Sequence, residues 1–135
     1  MNTLVPFIWI AGFVHLLLLA ANGIVPKKLA YRENLARLSP IVRQVFILHS
    51  VFTAFTLLAF GGVCFFFATE LAAGGTLARS VSGFIAGYWL LRFLLQLFYV
   101  DRETRRAHRV GDFAYSFAIF CLGAVFAAAA LGAGR

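Results

Sequence analysis

Residues 4–25 read LVPFIWIAGFVHLLLLAANGIV, and this stretch decides the fold class. It carries no formal charge when His15 is neutral, and a helix of about 20 apolar residues spans the hydrocarbon core of a bilayer. The basic residues follow the stretch rather than precede it, which is the wrong polarity for a cleaved signal peptide. Residues 4–25 therefore predict a transmembrane helix.

Three further apolar stretches are long enough to cross a membrane: residues 40–68, 77–100 and 110–131. Together with residues 4–25 they predict an all-α fold. We expect one transmembrane domain over residues 1–135, built as a four-transmembrane-helix bundle with up-down topology.

The composition excludes an ordinary soluble domain. Hydrophobic residues make up 62% of the chain and charged residues 13%, whereas roughly a quarter of the residues in soluble domains are charged. The net charge of +7 is confined to a few short stretches, whereas nucleic-acid binding needs a basic face on a soluble fold. Cys64 and Cys121 are too few to form a disulfide framework. We therefore expect a lipid bilayer around the chain and no nucleic-acid partner.

Lysine and arginine are distributed unevenly between the two ends of the predicted helices. Nine flank the first and third loops, against two on the other side. The nine are Lys27, Lys28, Arg32, Arg37, Arg43, Arg102, Arg105, Arg106 and Arg109, and the two are Arg79 and Arg135. Because basic loops stay in the cytoplasm, we predict a multi-pass protein of the bacterial cytoplasmic (inner) membrane, with its N and C termini outside the cytoplasm.

The loops have their own signals. Pro26 is expected to end the first helix, and the segment that follows is either a short interfacial helix or a solvated turn. Ser39 and Pro40 form an N-cap and a first helical position. We expect a loop at Glu70–Thr76 and a densely charged turn at Asp101–Arg109.

Polar residues recur on one face of the third transmembrane segment. Tyr88, Arg92, Gln96 and Tyr99 are spaced by four, four and three residues. Arg92 would lie about 10 Å above the cytoplasmic end of its helix, at 1.5 Å per residue. Its side chain either snorkels to the headgroups or faces the bundle and pairs with a specific acceptor.

No acidic residue is predicted at the depth of Arg92. Asp101 and Asp112 lie nearer the membrane surface, within reach only of a bent-down side chain. We also expect Asp112 to pair with His108, four residues before it, as a solvated pair. The acceptor for Arg92 would then be a carboxylate, phosphate or carbonyl of a bound lipid or quinone.

His15 and His49 lie at roughly similar depth on the first two predicted helices, and three interpretations remain open. The imidazoles can be neutral hydrogen-bonding groups between helices. They can share a site for an amphipathic ligand with Tyr88, Arg92 and Gln96. They can also be axial ligands of a b-type haem, which needs two facing imidazoles at one level. Two histidines without a deep carboxylate do not make a catalytic metal site.

Small residues predict how the helices pack. Gly83 and Gly87 form a GxxxG pair, and the fourth segment is rich in alanine with Gly123 at its centre. We expect close contact between the third and fourth segments. The same GxxxG pair can instead mark a surface for a membrane-protein partner or a homo-oligomer.

Several short patterns resemble one family. They are Leu38-Ser39-Pro40 with Arg43-Gln44-Val45-Phe46, and Tyr88-Trp89 with Arg92, Gln96, Phe98-Tyr99 and Asp101. They resemble an uncharacterised family of small bacterial four-helix integral membrane proteins. The resemblance covers most of the chain and supports the architecture, and it implies no activity.

The sequence predicts a small non-enzymatic subunit, or a binder of a lipid or quinone. The expected ligand-binding residues are His15, His49, Tyr88, Arg92 and Gln96, with no catalytic residue and no metal. One alternative is a redox module holding haem b or a quinone, with His15 and His49 as the haem ligands. The other is a membrane-embedded enzyme that modifies lipids with a histidine as base.

Overall fold

The computed structural model describes residues 2–28 and 30–133, all of whose regular secondary structure is helical. The helices are α1 (Leu4–Lys28), α2 (Tyr31–Ala36), α3 (Pro40–Phe66), α4 (Ala68–Ala73), α5 (Thr76–Phe98), α6 (Arg102–Ala107) and α7 (Arg109–Leu131). Arg135, which belongs to the predicted charge asymmetry, lies outside the described residues.

Four of these helices, α1, α3, α5 and α7, are long and apolar enough to cross a membrane. The shortest has 23 residues, which is about 35 Å at 1.5 Å per residue. Large apolar side chains cover their outer surfaces, and Leu17, Phe52 and Phe84 expose between 67% and 69% of their area. Exposed apolar surface on this scale, over four helices of membrane-spanning length, indicates a surrounding of lipid. The prediction of a multi-pass membrane protein is therefore confirmed, whereas the membrane and the orientation of the termini stay predictions.

The long helices pack as two antiparallel pairs, α1 with α3 and α5 with α7, joined where α1 meets α7. The core lies between the pairs. Its fully buried side chains include Ile8, Ile85, Ile119 and Phe126. The bundle prediction is confirmed at this level.

The predicted close contact of the third and fourth segments is present between α5 and α7, but it is built on a different glycine. A Cβ added to Gly123 would lie 2.8 Å from Cδ2 of Leu90, so only a hydrogen fits there. A Cβ added to Gly83 would lie 3.9 Å from the Cβ of Ala130, and a Cβ added to Gly87 would meet nothing within 4 Å. Both are exposed, and their role as a partner surface stays a prediction.

Three spans end two or three residues away from their expected ends, and the third of them, α5, ends at Phe98 rather than at residue 100. Pro26 does not end α1, which continues to Lys28, because a proline in the last turn removes one backbone hydrogen bond close to an end that is already frayed. The second span ends at Phe66 rather than at residue 68, since Phe67 leaves the helical region at φ −126° and ψ 23°.

Two expected loops contain helices. Helix α4 occupies much of the segment expected as a loop, because Ala68, Leu71 and Ala72, at helical spacing, are buried against the bundle. Helix α6 forms inside the charged turn, where the Asp101 carboxylate accepts hydrogen bonds from two backbone amides, each at 3.1 Å. That arrangement is a helix N-cap. Of the two interpretations of the first loop, the short helix is the one that the structure contains, as α2, while its position at the membrane surface stays a prediction.

Candidate functional site

A cavity of about 530 Å³ lies between α1, α3, α5 and α7. It occupies the half of the bundle near the two basic loops, because α1 contributes residues from its last three turns and α7 contributes Tyr115, in its second turn. The polar part of its wall is formed by Asn22, Thr53, Tyr88, Arg92 and Tyr115. The remainder is apolar apart from the Trp89 indole.

Arg92 is the charged group in the lining of this cavity. Its guanidinium carbon lies 5.5 Å from the centroid of the Tyr115 ring, a cation–π contact worth about 0.5–1 kcal/mol when exposed and more when dry. That contact uses none of its five N–H donors. Within residues 2–28 and 30–133, no carboxylate lies within 4.0 Å of Arg92, and the ion pair present joins Arg105 to Asp112.

Gln96 is buried beside the cavity rather than in it. Its Nε2 donates to Oδ1 of Asp112 at 2.8 Å, while Nε of Arg105 donates to Oδ2 of the same carboxylate at 3.0 Å. The expected pair of Asp112 with His108 is therefore wrong, because Arg105 and Gln96 occupy both oxygens. A second cavity of about 480 Å³ is lined by Gln96 and Asp112 and shares Tyr115 with the first.

His15 lies one layer behind the cavity and is completely buried. Its Nδ1 is 2.7 Å from the carbonyl oxygen of Ala11, and its Nε2 is 3.0 Å from Nε1 of Trp89. An indole nitrogen can only donate, so Nε2 accepts, and Nδ1 carries the proton toward Ala11. Both nitrogens of a neutral imidazole are thus engaged, and the ring fixes the orientation of Trp89 in the cavity wall.

His49 lies apart from the other predicted site residues, on the exposed surface of α3. Its Nδ1 is 3.2 Å from the carbonyl oxygen of Val45, one turn back on the same helix. The structure does not bring His49 to face His15. Joint ligation of haem would require the bond from Trp89 to His15 to break and the two helices to rotate.

Comparison with protein-family models, with curated proteins and with solved structures finds no match to this chain. The family resemblance of the short sequence patterns therefore stays a prediction. What bears on function is the geometry of the cavity and the charges around it.

The structure thus brings together two of the five predicted ligand-binding residues, Tyr88 and Arg92, in one cavity wall. Gln96 lines the adjoining cavity. The sequence analysis did not place Tyr115 or Trp89 in the site, although Trp89 is 3% exposed and lines the cavity. A tryptophan next to a tyrosine on the polar face of α5 was the available signal for the second of these. Nothing in the sequence of α7 singles out Tyr115.

Among the described residues that line the Arg92 cavity there is no histidine, cysteine or carboxylate. Within residues 2–28 and 30–133, no group of three or more histidine, cysteine, aspartate or glutamate side chains could hold a metal ion. The chemistry that this cavity offers is therefore that of one guanidinium, two phenols, an amide and a hydroxyl in an apolar surround.

Proposed function

We propose that this protein is a non-enzymatic membrane protein that binds an amphipathic ligand, a lipid or a quinone, in the cavity beside Arg92. The observation that carries the proposal is the guanidinium of Arg92, which lines a cavity of about 530 Å³ and has no carboxylate partner among the described residues. A charge inside a membrane is costly unless it is paired or solvated. A carboxylate, phosphate or carbonyl oxygen of a ligand would supply that partner.

The rest of the lining fits the head of such a ligand. Asn22 offers further hydrogen bonds through its amide, whereas Thr53, whose hydroxyl donates to the carbonyl of His49 at 2.8 Å, can only accept. The Tyr115 ring packs against the guanidinium, and Tyr88 is part of the same lining. Binding sites for small molecules commonly have this composition, an apolar wall with few polar groups that fix orientation.

A route for the apolar part of the ligand is also present. Thr53 lines the cavity and is exposed, which supports an opening of the cavity beside α3. A hydrocarbon tail would extend through this opening into the bilayer, and the ligand would enter laterally from the membrane.

Binding is favoured over catalysis by the state of the nearest histidine. His15 is separated from the cavity by Trp89, which occupies its Nε2. A general base must reach the proton that it abstracts directly or through one water, and this imidazole does not line the cavity.

The test uses the position of Trp89 in the cavity wall. In a Trp9→Phe variant, Trp89 is the remaining tryptophan, so bromine on a ligand in the cavity would quench its fluorescence. The probe is 9,10-dibromostearate, added to the purified protein in a neutral detergent, and the comparison is the corresponding dibromostearyl alcohol. We expect saturable quenching by the acid at concentrations about tenfold lower than those that the alcohol requires.

Arg92→Gln, in the same background, should remove the advantage of the acid over the alcohol. Arg79→Gln is the matched control, because Arg79 is on the same helix about 20 Å away at 1.5 Å per residue and does not line the cavity. Equal quenching by acid and alcohol in the parent protein, or an unchanged preference in Arg92→Gln, would show that Arg92 does not bind the head of the ligand.

A further inference from the structure

A groove runs along the surface of the α5–α7 pair. It shares no lining residue with the Arg92 cavity. Its apolar part, about 380 Å³, is lined by Phe93, Leu97, Phe113, Phe117 and Phe120. At the end near α6 it continues into a basic recess of about 290 Å³. Arg105, Arg109 and Asp112 line both parts, so the two form one groove with a basic end and an apolar end.

The basic end carries a strong excess of positive charge. The basic end is lined by one carboxylate, that of Asp112, and by four guanidinium groups, those of Arg102, Arg105, Arg106 and Arg109. Both oxygens of that carboxylate are already engaged by Arg105 and Gln96. The other three arginines are exposed and are left without an ion pair among the described residues.

Arg105 is held in place at the junction of the two parts. Its Nε donates to Asp112 at 3.0 Å, and its Nη1 donates to the backbone carbonyl of Leu97 at 3.3 Å. Leu97 is in the last turn of α5, where carbonyl groups lack intrahelical partners. The basic end therefore has one arginine fixed by the fold and three that can adapt to a ligand.

Ser116 supplies an independent sign of a ligand. Its hydroxyl is buried and has no hydrogen-bond partner within the described residues, which is also true of Ser82, but of the two only Ser116 lines the groove. Ser50 and Thr56, on α3, instead donate to the carbonyl four residues back. Ser116 is one turn beyond Asp112, about 6 Å deeper along α7. An ester carbonyl lies at about this distance below a lipid phosphate.

We propose that this groove binds an anionic phospholipid. The phosphate lies among Arg102, Arg105, Arg106 and Arg109, an ester carbonyl accepts from Ser116, and an acyl chain follows the phenylalanine-lined part. Charge complementarity selects an anionic headgroup over a zwitterionic one. The apolar part, where Phe113 and Phe117 stack at 6.3 Å and remain largely exposed, requires a hydrocarbon chain rather than a free phosphate.

The test measures binding of dioleoyl phosphatidylglycerol and dioleoyl phosphatidylcholine to the delipidated full chain by native mass spectrometry. We expect phosphatidylglycerol to bind at least about tenfold more tightly, since each basic residue near a headgroup is worth a severalfold gain in affinity. Arg102→Gln with Arg109→Gln should remove most of this preference. The matched control is Arg32→Gln with Arg37→Gln, which takes the same charge from the other basic loop and should keep the preference.

If the two double variants lose the preference for phosphatidylglycerol equally, the preference depends on overall charge, and the assignment to this groove is overturned. Equal affinity for the two lipids in the parent protein would overturn it as well. If neither lipid binds and the protein is instead a dimer that these substitutions dissociate, the groove is an interface between copies and the proposal is wrong. Circular dichroism establishes that each variant is folded.

Two further comparisons test the apolar part. Ser116→Ala removes the hydroxyl without adding an atom and should weaken phosphatidylglycerol binding about threefold or more, whereas Ser80→Ala, at an exposed serine bonded within α5, should not. Glycerol 1-phosphate at millimolar concentration should leave the lipid bound, and displacement by it would show a phosphate site without a lipid. Phosphatidylglycerol binding that is lost in Arg92→Gln but kept in the Arg102→Gln, Arg109→Gln variant would lie in the Arg92 cavity. That result would overturn this proposal and leave the function proposed for the Arg92 cavity standing, so the two proposals fail distinguishably.

Discussion

Nε1 of Trp89 donates a hydrogen bond of 3.0 Å to Nε2 of His15, and this bond joins α5 to α1 inside the core. The Phe60 and Phe126 rings pack edge-on against the same imidazole, with centroids at 5.8 and 6.2 Å. Four helices thus meet at one side chain. The cavity wall is built on that junction, because Trp89 contacts His15 on one side and the cavity on the other.

Breaking this bond should destabilise the bundle in a way that depends on both residues. Trp89→Phe leaves Nε2 of His15 without a donor, and His15→Leu leaves the indole N–H of Trp89 without an acceptor. Hydrogen bonds between membrane helices are worth about 0.6–2 kcal/mol. We therefore expect a coupling free energy of about 1 kcal/mol in a double-mutant cycle, measured by unfolding in mixed micelles of dodecyl sulfate and followed by circular dichroism.

His49→Leu is the control for this cycle, because His49 is exposed and bonds within its own helix. Its effect on the free energy of unfolding should stay within about 0.5 kcal/mol, as for most surface substitutions. Strictly additive losses in the cycle would mean that the bond from Trp89 to His15 contributes nothing.

The close approach of α5 and α7 predicts that two glycines respond differently to the same substitution. Gly123→Val should lower the free energy of unfolding by about 1–3 kcal/mol more than Gly87→Val, because an added Cβ at position 123 overlaps Leu90 and one at position 87 meets nothing within 4 Å. The measurement is the same unfolding titration. Similar losses at both positions would contradict the packing of α7 on α5.

Orientation is the third prediction, and it concerns the charge asymmetry. Alkaline phosphatase fused after residue 135 should be active and green fluorescent protein dark, because the basic loops keep α2 and α6 in the cytoplasm. Fusions after Arg37, in the first loop, should show the reverse. A fluorescent C-terminal fusion would invert the assignment, although the fold would stay the same.

The number and type of the spans could be predicted because a helix needs about 20 apolar residues to cross a bilayer, and the length and apolar content of a segment can be read from the sequence. Which side of each helix faces inward could not. A helix in lipid is apolar on every side, so its periodicity carries little information about its packed face. His49 is an example. We expected it inside the bundle, but it is exposed, and its imidazole forms a hydrogen bond with the carbonyl of Val45 on its own helix.

The candidate site was predictable in part for a related reason. Arg92 is so costly in a membrane that its presence alone indicated a polar environment, and its spacing from Tyr88 indicated a shared face. The partners of Gln96 and His15 depend instead on the relative rotation of two helices. Asp112 and Trp89 meet them across α5–α7 and α1–α5 contacts, and the sequence of a single helix does not specify such contacts.

Pro26 lies in the last turn of α1, four residues after Asn22, and a proline has no N–H to give to the carbonyl of residue 22. Asn22 lines the Arg92 cavity, so the residue that loses this donor is part of the cavity wall, and its side-chain amide contains an acceptor oxygen. The lining therefore holds a cation and an acceptor. Head groups that carry both an oxyanion and a hydroxyl, such as phosphoglycerol or a hydroxy acid, would match this lining better than a bare anion.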